Sequence, residues 1–406
     1  MITRRGWAVV FGAAALGFGG RVLGIVELFV LAAGGVALVA VAVVSVRISR
    51  LSLEARRELH PPRVHAGSDS RVEVVLVNQG ARRTTVFAIR DPFDHGRRQA
   101  RFLVSPLAPG TLARAAYRLP TERRGVFAIG PLEATVADAF GLASATTKVA
   151  PETELTVYPH VDTIVSLPQS RGHDPLACAD HPTAVASSGE DFYALRAYEV
   201  GDDLRRVHWP STARLDELMI RQNEMPWQGR VTVLLDVRRR AHTDESLELA
   251  VSAAASIVTA CWQRGFLVRL VSTDGVDSGF AAGHVHMETV MEKLATVGPS
   301  RDDRLTDVLG GLRLPGNAGT LVAIVTADVT NADLERIARL RWRFGALTVV
   351  LFERSSYDLA GAPQVRARAV PGPGPVVRAR MGTPFPLAWN QVMGSRLGRA
   401  LAGGPG

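Results

Sequence analysis

The first 46 residues constrain this chain more than any other feature. From Trp7 to Val46 almost every residue is apolar or glycine. A helix needs roughly 20 apolar residues to cross the hydrocarbon core of a bilayer. The stretch holds two such segments, at about 7–23 and 28–46. The sequence therefore predicts a transmembrane helical hairpin within residues 1–50.

The charges that flank this hairpin predict its orientation. Arg4 and Arg5 precede the first segment, and four arginines follow the second: Arg47, Arg50, Arg56 and Arg57. Because arginine-rich flanks stay on the cytoplasmic side, we expect a multi-pass protein of the cell membrane whose soluble part faces the cytoplasm. A cleaved signal peptide is one alternative, which the second apolar segment argues against. A single span, which would place the soluble part outside, is the other.

Composition narrows the function classes only in part. The two cysteines, Cys178 and Cys261, are far apart and form no CxxC pair, which favours a reducing compartment. The formal net charge is +8, carried almost wholly by arginine. Such a charge suits a nucleic-acid binder, which we keep as an alternative. The arginines are scattered and not interleaved with stacking aromatic residues, so we expect no nucleic-acid partner.

The region after the hairpin has the period of β-strands. Residues 70–77 (SRVEVVLV) alternate polar and apolar, as in a half-buried strand. Further short strands with turn signals between them are predicted at 84–89, 101–104, 113–119, 125–129 and 132–136. This spacing predicts a small all-β sandwich-like domain over residues 53–158. No position in it assembles a set of metal ligands or a nucleophile, so a structural role is expected.

A polar linker is predicted at 159–190, and the pattern beyond residue 230 becomes α/β. Residues 231–237 (VTVLLDV) read as a strand buried on both faces. Predicted strands at 266–271, 321–326 and 347–352 alternate with predicted helices at 244–264 and 331–342. This alternation predicts a doubly wound parallel sheet within 191–396, ending in a hairpin of 365–370 with 376–381. We expect His284 and His286 in an exposed loop and a disordered tail at 397–406.

Two segments carry a family resemblance. Residues 189–214 fit the pattern G-x-x-F-x-x-L-R-x-Y-x-x-G-D-D-x-R-x-x-H-W-x-x-x-A-R. The matched positions are Gly189, Phe192, Leu195, Arg196, Tyr198, Gly201, Asp202, Asp203, Arg205, His208, Trp209, Ala213 and Arg214. Residues 124–142 (RGVFAIGPLEATVADAFGL) resemble an upstream RG…GP…D-x-F-G-L element. With the two apolar segments, this resembles the domain of unknown function 58 family over most of the chain.

The resemblance implies a von Willebrand factor A-like, Rossmann-like domain at the C-terminal end. It also implies association with a MoxR-type AAA+ ATPase, often beside a membrane transglutaminase-like protein. The family has no established biochemical activity. The resemblance therefore sets expectations for fold and partner, and leaves the mechanism open.

An A-like domain usually binds Mg²⁺ through a D-x-S-x-S loop after its first strand, because alternate residues place hard oxygens on one side of the loop. In this chain both serines are arginines, Arg238 and Arg240, while Asp236 is kept. Asp328 stands where the second aspartate would be, and Thr306 is a loose candidate for the threonine. Guanidinium groups repel a cation, so we expect a degenerate site with no metal and no cofactor. Either an arginine pairs with Asp236 and Asp328, or both arginines point into solvent.

The charged part of the signature has three interpretations. His208 with Asp202 or Asp203 would suit a hydrolase, but no nucleophile motif accompanies it. An ion-pair network with Trp209 packed beneath it, or partner docking through the same segment, fits better. We therefore expect a non-catalytic, membrane-anchored scaffold or adaptor that serves cell-envelope assembly or maintenance. The hydrolase remains the main alternative.

Overall fold

The protein is described by a computed structural model covering residues 1–49, 51–94, 96–168, 192–198, 207–223, 229–314, 319–326, 329–357 and 374–402. It divides into two compact units, Met1–His160 and Val161–Gly406. The first unit holds the apolar hairpin and the strand-rich domain, and the second holds the α/β region. This division agrees with the predicted order of elements.

Two antiparallel helices, α1 (Arg4–Leu23) and α2 (Val26–Ile48), form the hairpin. Gly24 has φ 70°, the left-handed conformation that ends a helix at glycine, so two residues suffice to reverse the chain. The helices pack through small residues, since a Cβ on Gly35 would lie 3.2 Å from that of Ala13. Both are long and apolar enough to cross a membrane, and only 17% of the most apolar window of each is buried.

Ten strands follow in the first unit: β1 (Leu53–His60), β2 (Arg63–His65), β3 (Ser70–Asn78), β4 (Phe87–Phe93), β5 (Arg98–Val104), β6 (Leu112–Leu119), β7 (Gly125–Ile129), β8 (Leu132–Ala137), β9 (Ser144–Ala150) and β10 (Thr153–Tyr158). One sheet has the order β1-β3-β6, and the other has the order β2-β10-β7-β4-β8-β9 with β5 beside β4. Every second residue of β3 is buried, from Ser70 to Asn78. Both sheets contribute to one apolar core, as the alternation predicts. The strand predicted at 84–89 begins later and runs through Phe93.

A buried ion pair joins the two sheets. Arg57 on β1 donates to Asp91 on β4, with Nη2–Oδ1 at 2.7 Å and Nε–Oδ2 at 3.0 Å. The two side chains are 1% and 0% exposed. The Tyr117 hydroxyl on β6 donates to the same carboxylate at 2.6 Å. Burial raises the pKa of Asp91, while the hydrogen bond from Tyr117 and the charge of Arg57 oppose that rise.

The Gly130-Pro131 step of the 124–142 element belongs to this network. Gly130 has φ 106°, and a Cβ there would lie 2.7 Å from Arg57 Nη2. The neighbouring carbonyl of Ile129 accepts from Arg57 Nη1 at 2.8 Å. The glycine is therefore required by the close approach of the guanidinium group.

Among the described residues of the second unit, five parallel strands form one sheet: β13 (Arg230–Leu235), β14 (Leu267–Ser272), β15 (Thr320–Thr326), β16 (Ala346–Phe352) and β17 (Val376–Ala379). Their order is β14-β13-β15-β16-β17, and every pairing is parallel. The helices of this region are α4 (Asp244–Trp262), α5 (His284–Thr296), α6 (Leu305–Gly311), α7 (Asn331–Arg339), α8 (Arg354–Tyr357) and α9 (Phe385–Ala402). A 3-10 turn, Leu340–Trp342, follows α7. All seven residues of β15 are buried, as expected for a sheet covered on both faces.

The signature segment builds a small unit of its own. Strands β11 (Phe192–Ala197) and β12 (Met219–Asn223) pair antiparallel, and α3 (Trp209–Leu215) lies between them in the chain. The His208 amide donates to the Met219 carbonyl at 2.7 Å, and the Tyr198 amide donates to the Leu218 carbonyl at 2.8 Å. The α/β sheet and this two-stranded sheet are separate.

Two predicted segments differ in the structure. Residues 161–168 of the predicted linker belong to the second unit. They pack there because the Val165 amide donates to Asn390 Oδ1 at 2.8 Å and the Val165 carbonyl accepts from Trp389 Nε1 at 2.7 Å. The rest of that linker lies outside the described residues. The predicted disordered tail begins too early, because α9 continues to Ala402.

Two further predictions concern short elements. His284 and His286 lie in the first turn of α5, not in a loop. His286 Nε2 bonds the Val268 carbonyl at 2.8 Å, and the His284 ring contacts Trp262. In the predicted late hairpin, 376–379 is β17 and pairs parallel to β16. Its proposed partner, 365–370, lies outside the described residues.

Replacing Asp91 with alanine should destabilise the first unit strongly. The change leaves the Arg57 charge buried without its carboxylate, which costs about 3–5 kcal/mol. Chemical denaturation of the detergent-solubilised protein measures this loss. Arg90→Ala, on the adjacent exposed residue of β4 (side chain 52% exposed), is the control and should change stability by about 0.5 kcal/mol or less. Equal effects of the two substitutions would show that the ion pair is not a main support of the sandwich.

Candidate functional site

Polar side chains gather where the central parallel strands end. Asp236 directly follows β13, and Thr273 directly follows β14; both residues are fully buried. The Thr273 hydroxyl donates to Asp236 Oδ1 at 3.3 Å and accepts from the Val237 amide at 2.9 Å. Ligands of open α/β sheets bind outside the carboxyl ends of the strands. This edge is therefore the candidate site.

A guanidinium group fills the position in front of Asp236. Arg238 Nε lies 2.9 Å from Oδ1 of Asp236, and Nη2 lies 2.7 Å from Oδ2. Arg238 Nη1 donates to Asp303 Oδ1 at 3.0 Å. The Arg238 side chain is 5% exposed. Burial alone would lower the pKa of Arg238, but hydrogen bonds and the charges of Asp236 and Asp303 raise it on balance.

The residues at this edge do not fit a divalent cation. Both carboxylate oxygens of Asp236 already accept hydrogen bonds from Arg238, and a fixed positive charge beside them repels a metal ion. Within the described ranges, no group of three His, Cys, Asp or Glu side chains could hold a metal. Of the two alternatives for Arg238, the ion pair is the one found. It reaches Asp303, which the sequence interpretation missed, whereas Asp328 lies outside the described residues.

The other predicted positions are dispersed. Arg240 is exposed and pairs with Asp303. Thr306 lies on α6, where its hydroxyl accepts from Arg336 Nη1 at 3.2 Å, so it does not reach Asp236. Thr273 makes that contact instead. Its position after a buried strand, adjacent in the sheet to β13, is the signal that could have identified it.

Arginines surround an open cavity at this edge. The cavity has a volume of about 310 Å³ and is lined by Arg238, Arg239, Arg240, Ser300, Arg301, Asp302 and Asp303. We call these residues the arginine rim. The Ser300 amide donates to the Val237 carbonyl at 2.8 Å, and its carbonyl accepts from the Arg239 amide at 2.7 Å, so two loops hold the rim together. In the described part of the chain, Arg239 and Arg301 are exposed and have no carboxylate partner.

The signature residues that can be placed do not form a catalytic group. His208 Nδ1 lies 2.8 Å from the Ser211 hydroxyl, one turn along α3. Trp209 is 67% exposed, so the prediction that it packs beneath an ion-pair network is wrong. The reason is that α3 buries none of its residues. Arg214 is exposed on the same helix, and Arg196 lies on β11. Gly189, Gly201, Asp202, Asp203 and Arg205 lie outside the described residues.

His242 is a buried titratable group below the rim. It is 6% exposed, and its Nδ1 lies 3.2 Å from the hydroxyl of Ser246 in the capping box of α4. Burial lowers the pKa of His242, and the charge of Asp236 opposes this effect. Protonation of His242 therefore opposes folding of this region.

If Arg238 occupies the place of a metal ion beside Asp236, its removal should allow the loop to bind a metal. Arg238→Ser/Arg240→Ser restores a D-x-S-x-S loop and removes the guanidinium groups, so Mg²⁺ should raise the melting temperature and give heat in calorimetry. The wild type should do neither. The added substitution Asp236→Ala is the control and should abolish the gain. Tight Mg²⁺ binding by the wild type, lost in Asp236→Ala, would contradict the interpretation.

Stability of the second unit should fall as the pH is lowered below about 6.5, the ordinary pKa of histidine. Because the pKa of His242 is lower in the folded state, the unfolded chain binds a proton at a higher pH than the folded chain does. As the pH falls, this proton binding stabilises the unfolded state relative to the folded state. Thermal unfolding at pH 7.5 and 5.5 measures the slope. His242→Gln should reduce it, and His284→Gln, at an exposed position, should not. An unchanged slope in His242→Gln would contradict this account.

Comparisons with solved structures give only partial likenesses. The CARDB domain of the PF1109 protein from Pyrococcus furiosus is 18% identical over 26% of this chain and 93% of that chain, with a TM-score of 0.20. A β-glucosidase from Erythrobacter marinus is 18% identical over 26% of this chain and 15% of that chain, with a TM-score of 0.18. These values support no statement about activity. No curated protein matches the chain.

The family comparison covers the region that holds both the candidate site and most of the signature. Residues 194–366 match the family described as "Protein of unknown function DUF58". The match begins inside β11 and extends beyond β16. Residues 194–366 thus match the domain of unknown function 58 family, in agreement with the resemblance carried by the signature.

Proposed function

We propose that this protein is a non-catalytic, membrane-anchored adaptor whose α/β domain binds a protein partner through the arginine rim. The observation that carries the proposal is Arg238, held between Asp236 and Asp303 in front of the central strands. An internal arginine there replaces the cation through which a von Willebrand factor A-like domain would engage an acidic group. The positive charge is then part of the protein itself.

The free arginines of the rim define the chemistry of the partner. Arg239 and Arg301 are exposed beside the cavity, and guanidinium groups bind carboxylates in a bidentate manner. The lining contains four arginines and two aspartates, so its net charge is positive. An acidic side chain of a partner protein complements it. Arginine is also among the residues that dominate binding energy at protein interfaces.

The anchor is supported by the exposure of α1 and α2. In water, that much contiguous apolar surface would promote aggregation, whereas a bilayer covers it. Arg4, Arg5 and Arg47 at the open end of the hairpin favour placement of the soluble domains in the cytoplasm. Anchoring raises the effective concentration of a partner at the same membrane, so a small interface can suffice.

The family resemblance suggests the identity of the partner. We propose a MoxR-type AAA+ ATPase, working with a membrane transglutaminase-like protein, in assembly or maintenance of the cell envelope. A hydrolase that uses His208 has less support, since no nucleophile motif accompanies this residue in the sequence. The carboxylates predicted to orient His208, Asp202 and Asp203, lie outside the described residues.

A pull-down from detergent-solubilised membranes tests the proposal. The full-length protein should recover an AAA+ ATPase, identified by mass spectrometry. Arg239→Glu and Arg301→Glu should each reduce recovery about tenfold or more, because like charges then face each other across the interface.

Arg264→Glu is the matched control. Arg264 is exposed and follows α4 at the opposite edge of the sheet, before β14 begins. This variant should recover the ATPase as the wild type does. Equal recovery by all variants would exclude the arginine rim as the interface, and recovery of no ATPase by the wild type would contradict the proposed partner.

A further inference from the structure

The last part of the 124–142 element forms a turn against the open end of the hairpin. Thr3 donates from its amide to the Leu142 carbonyl at 2.8 Å and from its hydroxyl to the Gly141 carbonyl at 2.6 Å. Gly6 lies so close that a Cβ there would be 2.2 Å from the Leu142 oxygen. Leu142 and Ala143 share a buried cluster with three residues of α2: Val39, Ala42 and Val46. The turn therefore has a fixed position at the ends of both helices.

Asp138 fixes the conformation of this turn, which we call the DAFGL turn (residues 138–142). Its carboxylate accepts from the Phe140 amide at 2.9 Å and from the Ala143 amide at 2.6 Å. Gly141 has φ 68°, which glycine adopts without strain. With Leu142 packed on the helices, the Phe140 side chain remains 66% exposed. The exposed ring is thus held on a rigid support.

The dimensions of the helices place this ring at the surface of the bilayer. Helix α2 has 23 residues and is about 35 Å long, slightly more than the hydrocarbon thickness of about 30 Å. Its last turn and the first turn of α1 therefore lie at the boundary between lipid tails and headgroups. Residues that contact these turns, Gly141 and Leu142, lie at the same depth. A phenylalanine ring at this depth can bury its apolar surface at the boundary between headgroups and acyl chains.

The surrounding charge fits a lipid headgroup. Arg4, Arg5 and Arg47 are exposed at this end of the hairpin, and no ion pair described for the placed residues includes them. A Cβ on Gly141 would lie 3.8 Å from Arg5 Nη1, so the guanidinium group is beside the turn. Arginines at this depth attract the phosphates of anionic lipids.

We propose that the DAFGL turn is a membrane-docking surface: Phe140 inserts among the headgroups of the cytoplasmic leaflet, and Arg4, Arg5 and Arg47 bind anionic lipid phosphates around it. This rests on the proposed membrane anchor and adds to it. Beside the two helices, the turn adds a third contact with the bilayer, which fixes the orientation of the whole hairpin and sandwich relative to the membrane plane. Asp138 acts as a positioning residue, since it shapes the turn without contacting lipid.

A depth measurement on the full-length protein in nanodiscs tests the docking surface. An environment-sensitive fluorophore is attached at Phe140→Cys, or at exposed Ala139→Cys should the first substitution disturb the turn, in a Cys178→Ser background. Cys261 is buried and will not be labelled. The fluorescence should shift to the blue and be quenched by lipids that carry a nitroxide near the headgroup. Nitroxide-labelled phosphatidylglycerol should quench more than labelled phosphatidylcholine at equal mole fraction.

The control label is at Glu152→Cys. Glu152 is exposed and follows β9, whose seven residues run from the turn over about 20 Å. It should be neither shifted nor quenched. If the label at residue 140, like the label at residue 152, is neither shifted to the blue nor quenched, the proposal is wrong. Equal quenching by the two lipids would show that the arginines do not attract anionic lipid.

Carbonate extraction of membranes separates this proposal from the anchor itself. Protein that stays with the membrane while the label at 140 reports water leaves the anchor intact and refutes the docking surface. Protein that is released by carbonate refutes the anchor, and the docking surface with it. Asp138→Ala should leave the protein in the membrane fraction but reduce the blue shift at residue 140, whereas an undiminished shift would exclude the positioning role.

Discussion

The contact between Arg238 and Asp236 organises the functional edge of the α/β domain. A buried carboxylate at the end of a central strand needs a positive partner, since an unpaired charge there is very costly. Arg238 lies two residues further along the same loop and supplies that partner, while its remaining nitrogen reaches Asp303. The loop is thereby bound to the segment before α6. The position of the loops that line the cavity depends on this internal ion pair, while the exposed Arg239 and Arg301 supply the positive charge of the cavity.

The apolar patterns in the sequence predicted most of the architecture. Two long apolar runs correspond to α1 and α2, and the uninterrupted runs at 231–237, 321–326 and 347–352 correspond to strands covered on both faces. These predictions succeed because burial imposes a period on each element. The boundaries were less accurate, as at Phe87–Phe93, where an aromatic and charged strand gives a weak alternation. Helix α9 was missed because Gly394 and Gly398 are unfavourable in a helix interior and weaken its pattern.

Contacts between distant residues could not be predicted in the same way. Arg57 and Asp91 are separated by 34 positions, and neither position differs in sequence from an ordinary exposed strand residue. Asp303 lies in a run of charges that gives no indication which one turns inward. The sequence offered Thr306 as a candidate for the threonine, and only the strand order shows that Thr273, at the end of β14, is the one beside Asp236. The sequence therefore predicts which residue types gather at the edge, and only the fold decides which of them meet.

The contact of Thr3 with Leu142 has a consequence for how the protein is made. The two residues lie 139 positions apart, so the first turn of α1 leaves the ribosome long before its partner exists. At about 5–20 residues per second, that interval is roughly 7–28 seconds. During it, the first residues of α1 have nothing in the sandwich to pair with, and the proposed membrane anchor would enter the bilayer before that contact forms. Closure of the sandwich onto Thr3 is then a late event that requires a sandwich already folded through β8 and its following turn.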